Sequence, residues 1–231
     1  MGSSILAATA LAAALSFACA AAAEAPWAES PWYVSADLGG YFRQPISYAT
    51  NFRRSGDPSL KAPGTLARDY DPGLSGHLAL GYRLSPRFRL EGELGETAYT
   101  GSTIYPYTND PVFPALNGSP RAPSRAPSIN RFSGAMNAFL DFRPLGQVTP
   151  YFGLGLGAFD AHSTTGYYPK PGSAFRILAS SGVDGFGQAE VGVSLQLSHH
   201  WSVAPAYRFV RAFAANGDTA HIAKVGLRYA F

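Results

Sequence analysis

Read at every second position, residues 221–231 (HIAKVGLRYAF) separate into two rows, Ala223, Val225, Leu227, Tyr229 and Phe231 on one side and Lys224, Gly226, Arg228 and Ala230 on the other. A period of two marks a strand whose faces meet different environments. One face here suits hydrocarbon and the other suits water. The same alternation recurs upstream in segments of about ten residues, the length at which a tilted strand crosses an apolar band of about 25 Å. It predicts strands at residues 32–42, 73–84, 87–95, 131–142, 148–159, 186–197, 201–210 and 221–231.

Charge falls on one parity. The apolar rows carry Trp32, Val34, Leu38, Leu78, Leu90, Phe132, Met136, Leu154, Val191 and Leu227. The opposite rows collect Asp37, Arg83, Arg89, Glu91, Glu93, Arg131, Asp141, Glu190, Arg208, Lys224 and Arg228, with Gly and Ser between them, and Arg87 is read as facing the same way. A soluble lipocalin-like barrel would hold its apolar rows inside around a ligand. So much charge cannot line a greasy pocket, so the polarity is that of a barrel with lipid outside. Slipping the last strand by one residue would turn Lys224 and Arg228 toward lipid at roughly 2–4 kcal/mol each near the midplane. With about eight strands the interior is just filled by side chains, so the inward acids and bases are expected to pair as a plug, which excludes a wide aqueous channel.

Connections alternate. Turns at Ser85-Pro86, Arg143-Pro144-Leu145-Gly146 and Ser198-His199-His200 are short, whereas the stretches after Phe42, Gly95 and Phe159 are long and rich in Pro, Gly, Ser and Tyr. The longest, 97–130, holds a small tandem echo, Ser119-Pro120-Arg121-Ala122-Pro123 and Ser124-Arg125-Ala126-Pro127. This asymmetry predicts an all-β, eight-stranded antiparallel up-and-down transmembrane β-barrel with short periplasmic turns and long extracellular loops. Pro205 falls inside the seventh strand and removes a ladder donor, so a bulge or an unpaired carbonyl is expected there.

Composition adds a compartment. The first residues run from Ile5 to Ala18 in Ala, Leu and small side chains, too short to span a bilayer at about 20 residues but suited to a secretory leader. Ala21-Ala22-Ala23 offers a small-x-small cleavage site, giving a signal peptide at 1–23, a short periplasmic lead at 24–31 and the barrel at 32–231. The single cysteine, Cys19, lies in the leader after Phe17, whose bulk spoils a lipobox, so neither a disulfide nor a lipid anchor is expected. The formal charge of +3 over 231 residues is dispersed, which argues against a nucleic-acid partner.

The segments Leu90-Glu91-Gly92-Glu93-Leu94-Gly95, Asn137-Ala138-Phe139-Leu140-Asp141-Phe142, Thr149-Pro150-Tyr151-Phe152-Gly153-Leu154-Gly155-Leu156-Gly157, Tyr207-Arg208-Phe209 and Gly226-Leu227-Arg228-Tyr229-Ala230-Phe231 carry a family resemblance. On them the chain resembles the eight-stranded outer-membrane barrels, the OmpA-like and opacity-type surface proteins of the porin family. The resemblance implies that Phe231, with Tyr229 and Leu227, is the signal read by the barrel-assembly machinery. It carries no catalytic residues, and no peptidoglycan-binding domain is expected after Phe231.

Candidate chemistry is sparse. Gly153, Gly155 and Gly157 superficially suit a nucleotide loop, but no helix signal follows and all three share one strand face. His199 and His200 are adjacent on a turn, which points them apart and makes a weak metal site. A lipid-modifying hydrolase would need a Ser beside His221, with Asp218 and Thr219 near; no Ser stands at a matching spacing. Loop residues Arg53, Arg54, Lys61, Arg68, Asp57, Asp69 and Asp71 mix both signs, and Tyr105, Tyr107, Phe113, Tyr167 and Tyr168 offer a sticky outer surface or loop packing. The sequon at Asn117 is uninformative in a bacterial outer membrane. The expected function is therefore an integral outer-membrane surface protein with a structural, envelope role, no enzyme activity and no cofactor. The alternatives are an adhesin or ligand-binding protein acting through its loops, and thirdly a lipid-modifying enzyme. Expected partners are outer-membrane lipids and lipopolysaccharide, the assembly machinery, periplasmic chaperones, and a host or environmental ligand in the adhesin reading.

Overall fold

A computed structural model describes residues 30–54, 57–107, 125–167, 176–213 and 218–231. The leader with Cys19, the Ser119-Pro120 stretch, Asn117, Phe113 and Tyr168 lie outside the described residues. The strands are β1 (Trp32–Arg43), β2 (Ile46–Arg54), β3 (Asp57–Tyr70), β4 (Gly73–Arg83), β5 (Phe88–Tyr107), β6 (Arg125–Asp141), β7 (Val148–Tyr167), β8 (Arg176–Gln196), β9 (Trp201–Ala212) and β10 (Thr219–Ala230). Eight of them form a ring in the order β5-β4-β1-β10-β9-β8-β7-β6, closed by β5 against β6. Every pairing is antiparallel, and β2–β3 is a hairpin added outside the ring along the distal half of β5.

Closure brings the chain ends together. β10 pairs with β1 from Tyr33↔Ala230 to Arg43↔Ala220, and Ser30 N donates to Phe231 O at 3.2 Å. Following paired positions once round, Trp32 leads to Tyr82, Leu90, Ala138, Leu154, Ala189, Phe209, His221 and back to Phe42. The return lands ten residues beyond the start (42 against 32), and this stagger tilts the strands to the axis.

Tight connections at Ser85, at Leu145–Val148 and at Ser198–Trp201 define one end. Gly146 takes φ 67° in the second of these, a left-handed conformation that a side chain would strain. By the length rule for such barrels this end is periplasmic.

At the opposite end the strands outrun their predicted limits. β5 continues to Tyr107 where the alternation predicts an end at Gly95, β7 continues to Tyr167, and β6 and β8 begin earlier, at Arg125 and Arg176. Much of what reads as long loops is strand, including all of β2 and β3. Beyond the lipid band one face no longer has to be apolar, so period two fades while Thr, Tyr and Ile continue to favour extended backbone. At Pro205 the expected bulge is absent. The β8–β9 ladder skips the positions between Gly192↔Ala206 and Leu195↔Val203 and resumes in the same register, while Pro205 stays paired with Val225 of β10.

Candidate functional site

Side-chain parity sends apolar groups out and charge in. Leu38, Leu74 and Leu78 are 76%, 74% and 67% exposed, while Arg89 and Arg208 are each 1% exposed. The barrel interior and its two rims are therefore where specific chemistry resides. No helix among the described residues is long and apolar enough to cross a membrane; the crossing is made by strands.

Near the periplasmic end Arg89 is the centre of one cluster. Its Nε lies 3.0 Å from both carboxylate oxygens of Asp141, and its Nη1 donates to Glu91 Oε1 at 2.6 Å. Tyr33 Oη donates to the same Glu91 oxygen at 2.6 Å. The guanidinium also sits 4.2 Å over the Phe139 ring and 4.9 Å over Tyr151. Arg228 approaches Glu91 at 3.8 Å. Arg83, half-buried, stands opposite Arg89 in the β4–β5 pair.

A second cluster fills the middle. Arg208 grips Glu93 with two bonds, Nη1–Oε1 at 2.7 Å and Nη2–Oε2 at 2.6 Å, and reaches Glu190 with Nε at 2.8 Å. Lys224 Nζ bridges Glu190 and Asp37 at 2.9 Å each. His77 Nδ1 lies 2.6 Å from Asp37 Oδ1, and Gln188 and Asn137 extend the chain of polar contacts to Glu93. Tyr151 Oη donates to Glu190 at 3.0 Å and joins the two clusters. Asp37, Glu91, Glu93, Asp141 and Glu190 come from four strands of the wall, β1, β5, β6 and β8, so the network ties the barrel across its lumen as well as around it.

Toward the extracellular mouth an apolar layer of Ile129, Ala220, Ile222, Phe159, Phe186 and Ala212 is capped by a third, separate ionic group. Arg43 Nε donates to Asp218 Oδ1 at 2.6 Å and Arg131 pairs with the other oxygen. Arg43 Nη1 donates to Tyr99 Oη at 2.7 Å and Arg131 Nη1 to Tyr41 Oη at 3.1 Å. Arg43 also lies 3.9 Å over Tyr70. Desolvation lifts the Tyr70 phenol above its ordinary range, so it remains a neutral ring beside that cation.

Of the residues singled out in the sequence, Asp37, Arg89, Glu91, Glu93, Asp141, Glu190, Arg208, Lys224 and Arg228 are brought together; Arg131 belongs instead to the mouth with Asp218. Arg87 is corrected: it is exposed in the β4–β5 turn, because the strand starts at Phe88 and the turn has no inward face. Strand parity would have added His77 and Arg43 to the network, whereas Asp218 lies beyond any alternating segment and carried no such signal. The glycines of β7 have a packing reason. A Cβ at Gly153 would strike the Phe139 ring, one at Gly155 the Asn137 amide and one at Gly157 the Phe186 ring.

His221 does not face Asp218. It sits on the outward parity of β10, with Gln44 Nε2 at 2.9 Å from its Nε2 and Tyr207 Oη against its Nδ1. His200 Nδ1 bonds Ala230 O at 2.9 Å, and among the described residues no group of three His, Cys, Asp or Glu could hold a metal. At the periplasmic rim Tyr229 lies between Trp201 and Phe231, at ring distances of 4.9 and 5.5 Å, within an aromatic belt that also includes Trp32 and Tyr82.

A closed antiparallel ring with lipid-facing leucines, an ionic lumen, short turns at one end and an aromatic belt defines an outer-membrane β-barrel. The chain belongs to the outer membrane protein β-barrel domain family, whose model matches residues 9–231, and this family resides in the bacterial outer membrane. Among solved structures it is similar to Neisserial surface protein A, with 18% identity over 87% of this chain and 98% of that one at a TM-score of 0.51. It is also similar to the outer membrane protein OprG of Pseudomonas aeruginosa, with 11% identity over 89% and 98% at 0.50. Ail of Yersinia pestis matches at 10% identity over 85% and 98% with a TM-score of 0.39. No curated protein sequence matches the chain significantly.

Proposed function

We propose that the protein is a non-enzymatic, surface-exposed structural barrel of the outer membrane, exported by a leader cleaved after Ala23 and lacking a wide pore. The observation that carries this reading is the filled cross-section. Arg89 and Arg208 are enclosed side chains that each join carboxylates of other strands, and an apolar layer closes the lumen above them. A permeating solute would have to break several charge-assisted bonds at once. Outer-membrane lipids and lipopolysaccharide are its partners on the apolar face. The assembly machinery meets Phe231, Tyr229 and Leu227 on the closing strand, after periplasmic chaperones have carried the chain there. His221, held by Tyr207 and Gln44 with Asp218 engaged elsewhere, lacks the nucleophile and acid of a hydrolase.

Planar-bilayer recording of the purified, heat-modifiable barrel tests the reading. Only small, infrequent conductance is expected; stable, large steps would overturn the closed lumen. A second reading, adhesion or ligand binding by the outer parts, rests on the extension of β5 to Tyr107, β7 to Tyr167 and the added β2–β3 hairpin. Removing that hairpin while barrel folding persists should then abolish cell attachment.

A further inference from the structure

The upper edge of the lipid-facing surface is chemically lopsided. On β5 and β7 the outward rows carry Glu96 and Asp160 directly above Leu94 and Ala158, Asp160 being paired with His162 at 3.8 Å. At the same level β9 and β10 carry Arg211 and His221, Gln44 follows the end of β1, and among the described residues Arg211 makes no ion pair. Arg211 and Thr219 are directly opposite, as are Phe209 and His221, which makes Arg211 and His221 diagonal neighbours on one face, about 7–8 Å apart at their Cα atoms.

Gln44 Nε2 lies 2.9 Å from His221 Nε2, and Tyr207 Oη sits against His221 Nδ1. Tyr207 is 43% exposed, and in the tautomer with the imidazole proton on Nδ1 its own O–H is free to donate away from the wall. Phe209 lies against the imidazole at 5.6 Å and supplies an apolar floor. A phenolic donor and an exposed guanidinium flank an apolar ring at the level where acyl chains give way to headgroups.

We propose that Tyr207, His221, Gln44 and Arg211 form a binding site for the phosphate-bearing headgroup of an outer-leaflet lipid, lipid A. Arg211 provides the bidentate phosphate contact and the Tyr207 hydroxyl a second donor, while Phe209 and Phe42 meet the first carbons of the acyl chains. The acids on β5 and β7 repel the same headgroup, so occupancy is confined to the β9–β10–β1 side. This rests on the membrane-barrel reading above and adds a located site to it.

The test is native mass spectrometry of the detergent-folded full chain with lipid A or enzymatically dephosphorylated lipid A, with gel heat-modifiability and insertion into vesicles measured on the same samples. Wild type should retain the phosphorylated form about tenfold better, the equivalent of one charge-assisted hydrogen bond. Arg211→Ala should erase that preference and Tyr207→Phe should reduce it several-fold, while Glu96→Gln on the far wall leaves it intact. An inserted wild type that holds both lipids equally, or an Arg211→Ala chain that keeps the preference, overturns the site and leaves the barrel reading standing. Full displacement by inorganic phosphate overturns the assignment to a lipid. Failure of wild type to insert overturns the membrane reading and the site with it.

Discussion

Replacing Arg208 by methionine removes the guanidinium that satisfies two carboxylates in the middle of the barrel, at little change in volume. Arg208 makes three bonds of 2.6–2.8 Å to Glu93 and Glu190 and is 1% exposed. The two carboxylates are left in different situations. Glu190 keeps Lys224 at 2.9 Å and Tyr151 at 3.0 Å, whereas among the described residues Glu93 keeps the Asn137 amide at 3.5 Å as its one hydrogen-bond donor. Breaking one side of a buried pair costs about 3–5 kcal/mol, since a charge is stranded without water, and most of that should fall on Glu93. Urea unfolding in lipid vesicles, followed by tryptophan fluorescence, should therefore show a loss of about 3–5 kcal/mol for Arg208→Met at unchanged m-value. Adding Glu93→Gln should restore about 2 kcal/mol, a coupling within the range for contacting residues, and adding Glu190→Gln should restore clearly less. A loss below about 1 kcal/mol, or equal rescue by the two glutamines, would refute the assignment of the stranded charge.

Other consequences are accessible with the same preparations. Deleting Phe231 should cut the heat-modifiable fraction in outer-membrane preparations several-fold, and normal assembly of the shortened chain would count against its role in insertion. Gly155→Val should destabilise by about 1–3 kcal/mol through overlap with Asn137 and Gln188; Gly182→Ala, with open space where its Cβ would go, should unfold at the wild-type urea midpoint. Leu78→Arg, on the lipid face, should lose roughly 2–4 kcal/mol in vesicles, and Leu84→Arg, beside the periplasmic turn, at most about 1 kcal/mol; equal penalties would contradict the placement of the band.

What could be read from the chain tracks where the membrane constrains it. Inside the band every second residue must tolerate hydrocarbon, so the outward row of Leu38, Leu78, Leu94, Met136, Leu154 and Val225 and the inward row of Arg89, Glu93, Glu190 and Lys224 were legible by counting. Outside it the constraint is lifted. The distal part of β5, the early part of β8 and the β2–β3 hairpin have no such pattern, and their Pro, Gly, Ser and Tyr content reads as loop. Pairing partners were a different matter. Parity puts Arg131 and Glu93 on the same side of the wall, but whether an arginine finds a glutamate below it or Asp218 above it depends on the stagger around the ring, which no local pattern encodes. His221 shows the same limit: Asp218 is three residues away in sequence, yet an odd offset reverses the face, and His221 points outward while Asp218, just before β10, turns into the mouth.

The ionic lumen also bears on how the barrel finds one register. Apolar side chains would fill the same space without desolvating charge, and buried ion pairs are commonly no more stabilising than such packing. An apolar lumen, however, would give every strand two greasy rows, and a one-residue slip would then carry almost no penalty from lipid. With Arg89, Arg208, Lys224 and Arg228 inside, a slip of β5, β9 or β10 sends at least one cation into the acyl region at roughly 2–4 kcal/mol and strands its carboxylate partner in the lumen. The contrast between the rows is thus itself the restraint on pairing, and it acts on β10 most strongly, where Lys224 and Arg228 sit four residues apart on the strand that has to find β1 to close the ring.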